Sequence, residues 1–128
     1  MDSVIDLAGL NILIVEDDDM NFIYLTQIMK MTNGTHTRVK TGREALAVFY
    51  DSQFDLILMD IQLPDTTGID VTTKIRETHK DVCIIAQTAS RSSNELDECL
   101  QCGCNAVLTK PFKLHEFSDV VSQAMDLN

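Results

Sequence analysis

The feature that most restricts this 128-residue chain is a repeated alternation of short, continuous apolar runs with amphipathic segments. Leu10-Asn11-Ile12-Leu13-Ile14-Val15 stops abruptly at Glu16-Asp17-Asp18-Asp19. Residues 54–59 run into Asp60, residues 82–87 into Thr88, and residues 106–108 into Thr109-Lys110-Pro111. Residues 35–40 make a further short strand. Strands that are apolar at every position, rather than at alternate ones, are covered on both faces, as in a parallel sheet between layers of helices.

The intervening segments read as helices. Residues 20–32 carry Phe22, Leu25, Ile28 and Met29 at helical spacing, and Asn33-Gly34 is a stop signal. Thr41 can cap a helix running through Phe49, with Ala45, Leu46 and Phe49 turned inward. A loop with Pro64 and Gly68 leads to a helix over about 70–79. Ser92-Ser93-Asn94-Glu95 offers a capping box for a fourth helix that Gly103 ends, and a last helix spans about 114–125. Five strands and five helices then alternate. No repeat, low-complexity tract or linker interrupts them, so one domain over 1–128 is expected, with its core over about 10–126.

Charge and composition narrow the function. Ten basic against twenty acidic residues leave a net charge of −10, a surface that repels nucleic acid. No apolar stretch is long enough to cross a membrane, and Met1-Asp2-Ser3-Val4 lacks the basic and apolar parts of a secretory signal. A cytoplasmic protein without membrane insertion is therefore expected. Four cysteines, Cys83, Cys99, Cys102 and Cys104, suit neither a disulfide framework nor a zinc site, because no paired motif or nearby histidine completes four ligands. They read as free thiols. His36, His79 and His115 are scattered and read as surface or satisfied histidines, and the six methionines as core filler.

In a doubly wound sheet, ligands bind outside the carboxyl ends of the strands. Here those ends carry Glu16 and Asp17, Asp60, Thr88 and Lys110. Three carboxylates without Cys or His make a hard oxygen site suited to Mg²⁺ or Mn²⁺. Such a site does phosphoryl chemistry, with the metal balancing charge while an oxygen nucleophile attacks in line. Asp60, closing a central strand, is the best-placed nucleophile. Lys110 can meet a phosphoryl oxygen as a point charge, and Thr88 can donate a hydroxyl hydrogen bond. Each residue alone has a plainer explanation. Asp18 and Asp19 read as helix capping and dipole compensation rather than ligands. The convergence of four strand ends is what carries the reading.

At these positions the sequence resembles the response-regulator receiver family, from about Leu10 to Met125. The matching stretches are Ile12-Leu13-Ile14-Val15-Glu16-Asp17-Asp18, Leu58-Met59-Asp60-Ile61-Gln62-Leu63-Pro64 with Gly68, Ile84-Ile85-Ala86-Gln87-Thr88-Ala89, and Thr109-Lys110-Pro111-Phe112. The resemblance implies a flavodoxin-like (βα)5 three-layer sandwich with parallel strand order 2-1-3-4-5. It implies that Asp60 accepts phosphate from a phosphohistidine on a histidine kinase or phosphotransfer domain. It further implies that Glu16 and Asp17 are the paired acids, that the Gln62 backbone carbonyl joins the metal, and that Lys110–Pro111 is cis. One departure is Val107, which stands where the family commonly has an aromatic switch residue; movement around Thr88–Ser90 and the fourth helix would then carry more of the signal. The stretches around Asp17–Leu25 and Ile85–Ala89 are similar to receivers of hybrid histidine kinases, and a fragment of such a kinase is favoured over a stand-alone regulator. Met20, Ile23, Tyr24 and Met31, left outside the first helix's core stripe, could dock a helical phosphodonor. A dimer formed on phosphorylation is left open.

Three rivals share parts of this pattern. An aspartyl-nucleophile, metal-dependent phosphohydrolase would place an acid two residues after Asp60, where Gln62 stands. A flavin binder would need a Gly/Ser/Thr-rich loop after the first strand, not Glu16-Asp17-Asp18-Asp19. A receiver that has lost phosphate acceptance would lack one of the polar positions, and all are present.

Overall fold

A computed structural model describes residues 4–126. The elements are β1 (Asn11–Val15), α1 (Asp19–Thr32), β2 (Thr35–Val39), α2 (Gly42–Asp51), β3 (Leu56–Asp60), α3 (Gly68–Thr78), β4 (Cys83–Thr88), α4 (Ser93–Gln101), β5 (Ala106–Thr109) and α5 (Leu114–Ala124). The five strands form one parallel sheet in the order β2-β1-β3-β4-β5, the flavodoxin-like arrangement the resemblance implied. Every residue of β3 and β4 is buried, whereas the edge strands β2 and β5 are mostly only partly covered. Continuous hydrophobicity thus marks the central strands.

The pleat divides the core into two layers. On one face Ile12, Ile14, Leu56, Leu58 and Ile85 meet Leu25, Ile28 and Met29 of α1 and Phe117 and Val121 of α5. On the other, Leu13, Val15, Ile57, Met59, Ile84 and Ala86 meet Ala45 and Phe49 of α2, Val71 and Ile75 of α3, and Cys99 of α4. Buried chain begins before β1. Ile5 and Leu7 join the first layer, tied by hydrogen bonds from Leu7 N to Thr32 O (2.6 Å) and from Ile5 N to Ser118 Oγ (2.9 Å).

Local signals explain most helix ends. Thr41 caps α2 by accepting from Glu44 N at 3.1 Å, although the helix continues two residues past Phe49, to Asp51. Asn33, with φ 63°, ends α1 in the left-handed conformation. Helix α3 starts at Gly68, two residues before the sequence reading, because the Thr67 hydroxyl caps it through Asp70 N at 3.1 Å. The capping box expected at Ser92–Glu95 does not form: Ser92 makes no side-chain cap bond, and Glu95 turns to another partner.

Several plainer expectations also change. Met20 and Met31 are exposed rather than core filler, because they lie opposite the buried stripe of α1. His36 packs edge-on against Phe22 with its Nδ1 buried and unpartnered among the described residues, so it is not a satisfied histidine. His79 packs edge-on against Phe49, and His115 is exposed. All four cysteines are free; burial pushes the Cys83 and Cys99 thiols up to about 11 and Cys104 up to about 12. No described helix is long and apolar enough to cross a membrane.

Candidate phosphoryl-transfer site

Parallel pairing brings the carboxyl ends of β1, β3, β4 and β5 to one rim of the sheet. There an open cleft of about 410 Å³ is lined by Glu16, Asp17, Asp60, Gln62, Thr88, Glu95 and Lys110, among others. None of the three histidines lines it. Glu16 directly follows β1 and is fully buried; Asp17, one residue on, is exposed. Asp60 ends β3 and is only 7% exposed. Each of these three acids offers an oxygen within 4.8 Å of the others, a group able to hold a metal ion. The four thiols form no such group among the described residues.

Buried like charges repel unless they are compensated. Lys110 supplies the compensation: its Nζ lies 3.2 Å from Glu16 Oε1 and 3.3 Å from Asp60 Oδ2. Glu16 also accepts from the Asn21 side-chain amide and, at 3.1 Å, from Asp18 N. Among the described residues, the donors to Asp60 are Lys110 and, in a long contact at 3.4 Å, Gln62 N. Burial therefore raises the Asp60 carboxyl to about 7; Lys110 opposes that rise and the Glu16 carboxylate adds to it. The nucleophile candidate is the acid with fewer donors, while Glu16 is held from three sides. A cation that joined Asp17, Glu16 and Asp60 would relieve this tension, which is the sense in which the donor set fits one.

Backbone geometry holds the Asp60 loop in place. A Cβ on Gly68 would stand 2.3 Å from the Asp60 carbonyl oxygen, and Gly68 N donates to Ile61 O at 2.8 Å. Only glycine lets the start of α3 approach β3 so closely. The Lys110–Pro111 peptide is cis, as the resemblance implied. Asp18 caps α1 by accepting from Asn21 N, and Asp19 pairs with Arg38 at 2.9 Å, so both acids take the structural places expected of them.

Thr88 is 4% exposed; its hydroxyl donates to Glu95 Oε1 at 2.9 Å and accepts from Ser90 N at 3.0 Å. The sequence marked Glu95 only as part of a capping box, and neither Asn21 nor Arg38 stood out. Arg38 lies on β2, stacks over Phe22 with its guanidinium 4.2 Å from the ring centre, and donates from Nε to Glu16 O at 2.9 Å. Nothing in the sequence marks that pairing, since it depends on β1 and β2 being neighbours.

Comparison with known proteins agrees with this geometry. The family model described as the response regulator receiver domain matches residues 12–122. The aerobic respiration control sensor protein ArcB of Escherichia coli is 30% identical over 122 residues, covering 94% of this chain but 16% of ArcB. The chain thus spans about a sixth of that relative. The polar-differentiation response regulator DivK of Brucella ovis is 30% identical over 113 residues, 87% of this chain and 92% of DivK. Among solved structures, the receiver domain of the Pseudomonas aeruginosa sensor histidine kinase PA1611, with a magnesium ion in its active-site cleft, superposes with a TM-score of 0.84 at 33% identity, covering 93% of this chain and 99% of that one. The receiver domain of the Saccharomyces cerevisiae response regulator Ssk1, solved with the histidine phosphotransfer protein Ypd1, gives a TM-score of 0.84 at 30% identity over 98% of this chain and 93% of that one. The chain therefore belongs to the response-regulator receiver family and is a receiver domain of two-component and phosphorelay signalling.

Proposed function

We propose that residues 1–128 act as a single phosphoacceptor module in which Asp60 takes a phosphoryl group from a phosphohistidine on a histidine kinase or phosphotransfer domain. One Asp60 carboxylate oxygen attacks phosphorus, the phosphorus–nitrogen bond breaks, and the imidazole nitrogen keeps the electron pair. The product is an acyl phosphate on Asp60. The observation that carries this reading is the meeting of Glu16, Asp17 and Asp60 oxygens within 4.8 Å beside the Lys110 ammonium.

Glu16, Asp17, Asp60 and the Gln62 backbone carbonyl would hold Mg²⁺, or Mn²⁺ in its place, which supplies charge neutralisation for the phosphoryl oxygens. Lys110 stays within reach of Asp60 and offers a second positive charge to those oxygens. Thr88 offers the hydroxyl donor. Gln62 carries no acid to activate water, so the module modifies and unmodifies itself rather than turning over external substrates. The donor is expected on α1, where the exposed Met20 and Tyr24 line a pocket with Lys110, Pro111 and Phe112 and Ile23 is also exposed. That apolar patch borders the acidic cleft, so a helix carrying the phosphohistidine reaches Asp60 from it. The setting is cytoplasmic, and the parent protein is a hybrid histidine kinase. The Ssk1–Ypd1 complex supports a partner of this class.

The test compares stoichiometry with turnover. Incubation with acetyl phosphate and Mg²⁺ is expected to add one phosphoryl group per chain by intact mass, absent in Asp60→Asn. Multiple turnovers of a small phosphoester would instead favour a phosphohydrolase.

A further inference from the structure

Thr88 has one hydroxyl proton, and in this structure that proton is already committed. It donates to Glu95 Oε1 at 2.9 Å, away from Asp60 and Lys110 on the same cleft wall. Ser90 N fixes the hydroxyl from the other side, donating to Thr88 Oγ1 at 3.0 Å. Glu95 sits in the first turn of α4. The helix has no side-chain cap, since Ser92 N instead donates to Ser90 Oγ at 3.1 Å. Cys99 is the one buried residue of α4. The Thr88–Glu95 bond therefore ties the first turn of a lightly buried helix to the wall of the phosphoryl cleft.

A phosphoryl group on Asp60 would bring anionic oxygens into a cleft where Lys110 is already shared between two carboxylates. The Thr88 hydroxyl is an uncharged donor lining the same cleft, one residue beyond Gln87, which pairs with Asp60 across β3 and β4. It cannot serve the phosphoryl group and Glu95 with a single proton. We propose that Glu95 is a positioning residue that holds the Thr88 hydroxyl off the phosphoryl site, so that loading Asp60 breaks the Thr88–Glu95 bond and frees the first turn of α4. This rests on the phosphoacceptor reading. It adds a competitor, Glu95, that sets how readily the site loads. Val107 on β5 is only partly buried and packs into the layer that holds Cys99, so the hydroxyl, not a large ring, is the group that changes partner.

Glu95 also carries a negative charge into the cleft, and that charge alone would disfavour an anionic ligand. A double-mutant cycle separates the two effects. Beryllofluoride binding with Mg²⁺ would be measured by calorimetry on the full chain for wild type, Glu95→Ala, Glu95→Gln, Thr88→Ala and Thr88→Ala/Glu95→Ala. Amide exchange of residues 93–101 would be followed on the same samples. A hydrogen bond to a charged acceptor, once lost, is expected to tighten binding in Glu95→Ala about tenfold over wild type. Glu95→Gln, which keeps an acceptor, is expected to recover most of the wild-type value. In the Thr88→Ala background the gain should shrink to threefold or less. Exchange over 93–101 should quicken on loading in wild type and be fast already in unloaded Glu95→Ala. An equal gain with and without the Thr88 hydroxyl would overturn the proposal, as would Glu95→Gln behaving like Glu95→Ala, because charge alone would then explain the data. A wild type that binds no beryllofluoride would overturn the phosphoacceptor reading itself. The exchange profile reports folding of each variant independently of binding.

Discussion

Replacing Asp60 with asparagine should make the metal-free protein more stable at pH 8, although it destroys the proposed nucleophile. Burial raises the Asp60 carboxyl from 3.8 to about 7, so the fold favours the neutral acid. A folded-state value above the unfolded one has a definite sign. The contribution is fully present below about pH 3.8 and is lost as pH rises through 7. At about 1.4 kcal/mol per tenfold change in proton affinity, the rise sets an upper bound of about 4 kcal/mol on the cost of ionising Asp60 in the fold. The neutral amide gives up the Lys110 contact at 3.3 Å, and solvent at the open rim screens the charge. Together these reduce the expected gain to about 1–2 kcal/mol. With an unfolding entropy of about 0.27 kcal/mol/K for a chain this long, the midpoint should rise by roughly 4–7 °C. The assay is thermal unfolding by circular dichroism in EDTA at pH 8 and pH 4.5. The advantage of Asp60→Asn should be present at pH 8 and largely gone at pH 4.5, where wild-type Asp60 carries its proton. Added Mg²⁺ should stabilise the wild type far more than the variant. Destabilisation of Asp60→Asn at pH 8, or an equal gain at both pH values, would refute the electrostatic argument.

Other consequences follow from the same contacts. Lys110→Met leaves Glu16 and Asp60 facing each other without a cation, and should lower stability at pH 8 by about 1–3 kcal/mol by urea titration, with much of the loss recovered at pH 5. Gly68→Ala puts a methyl group 2.3 Å from the Asp60 carbonyl oxygen and 2.9 Å from Met59 Cγ; it should cost about 1–3 kcal/mol and slow acetyl phosphate uptake, read by intact mass over time. Gln87 is fully buried with both ends of its amide unpartnered among the described residues, so Gln87→Leu should stabilise the domain by about 1 kcal/mol in denaturant melts.

How much of this was readable from the residues alone depends on the range of the interaction. The central strands announce themselves because full burial on both faces demands continuous apolar runs, and the polar residues that end them, Asp60 and Thr88, stand out against those runs. Glu16, Asp17, Asp60, Thr88 and Lys110 were therefore legible as a set, and the sheet brings all five to one cleft. What stayed hidden are choices among competing partners. Glu95 had the spacing of a capping box with Ser92, yet its carboxylate pairs with Thr88, a partner that only the folding of β4 against α4 provides. Arg38 looked like an ordinary residue of an edge strand, and its bond to the Glu16 carbonyl exists because β2 lies beside β1. Ile5 and Leu7 precede any periodic segment, so no pattern revealed that they seal the layer under α1 and α5. Gln87 shows the reverse case: within an apolar run it reads as an interruption, and its amide is buried all the same.

The most direct test of the central claim is to locate the phosphoryl group chemically. After loading with acetyl phosphate and Mg²⁺, borohydride reduces an acyl phosphate to the alcohol, and peptide sequencing by mass spectrometry then identifies the residue. Conversion of Asp60 to homoserine, dependent on Mg²⁺ and abolished in Asp17→Asn, is the predicted result. Label on Asp17, Asp18 or Asp19, or loading of Asp60 that is indifferent to both the metal and Asp17, would contradict the account.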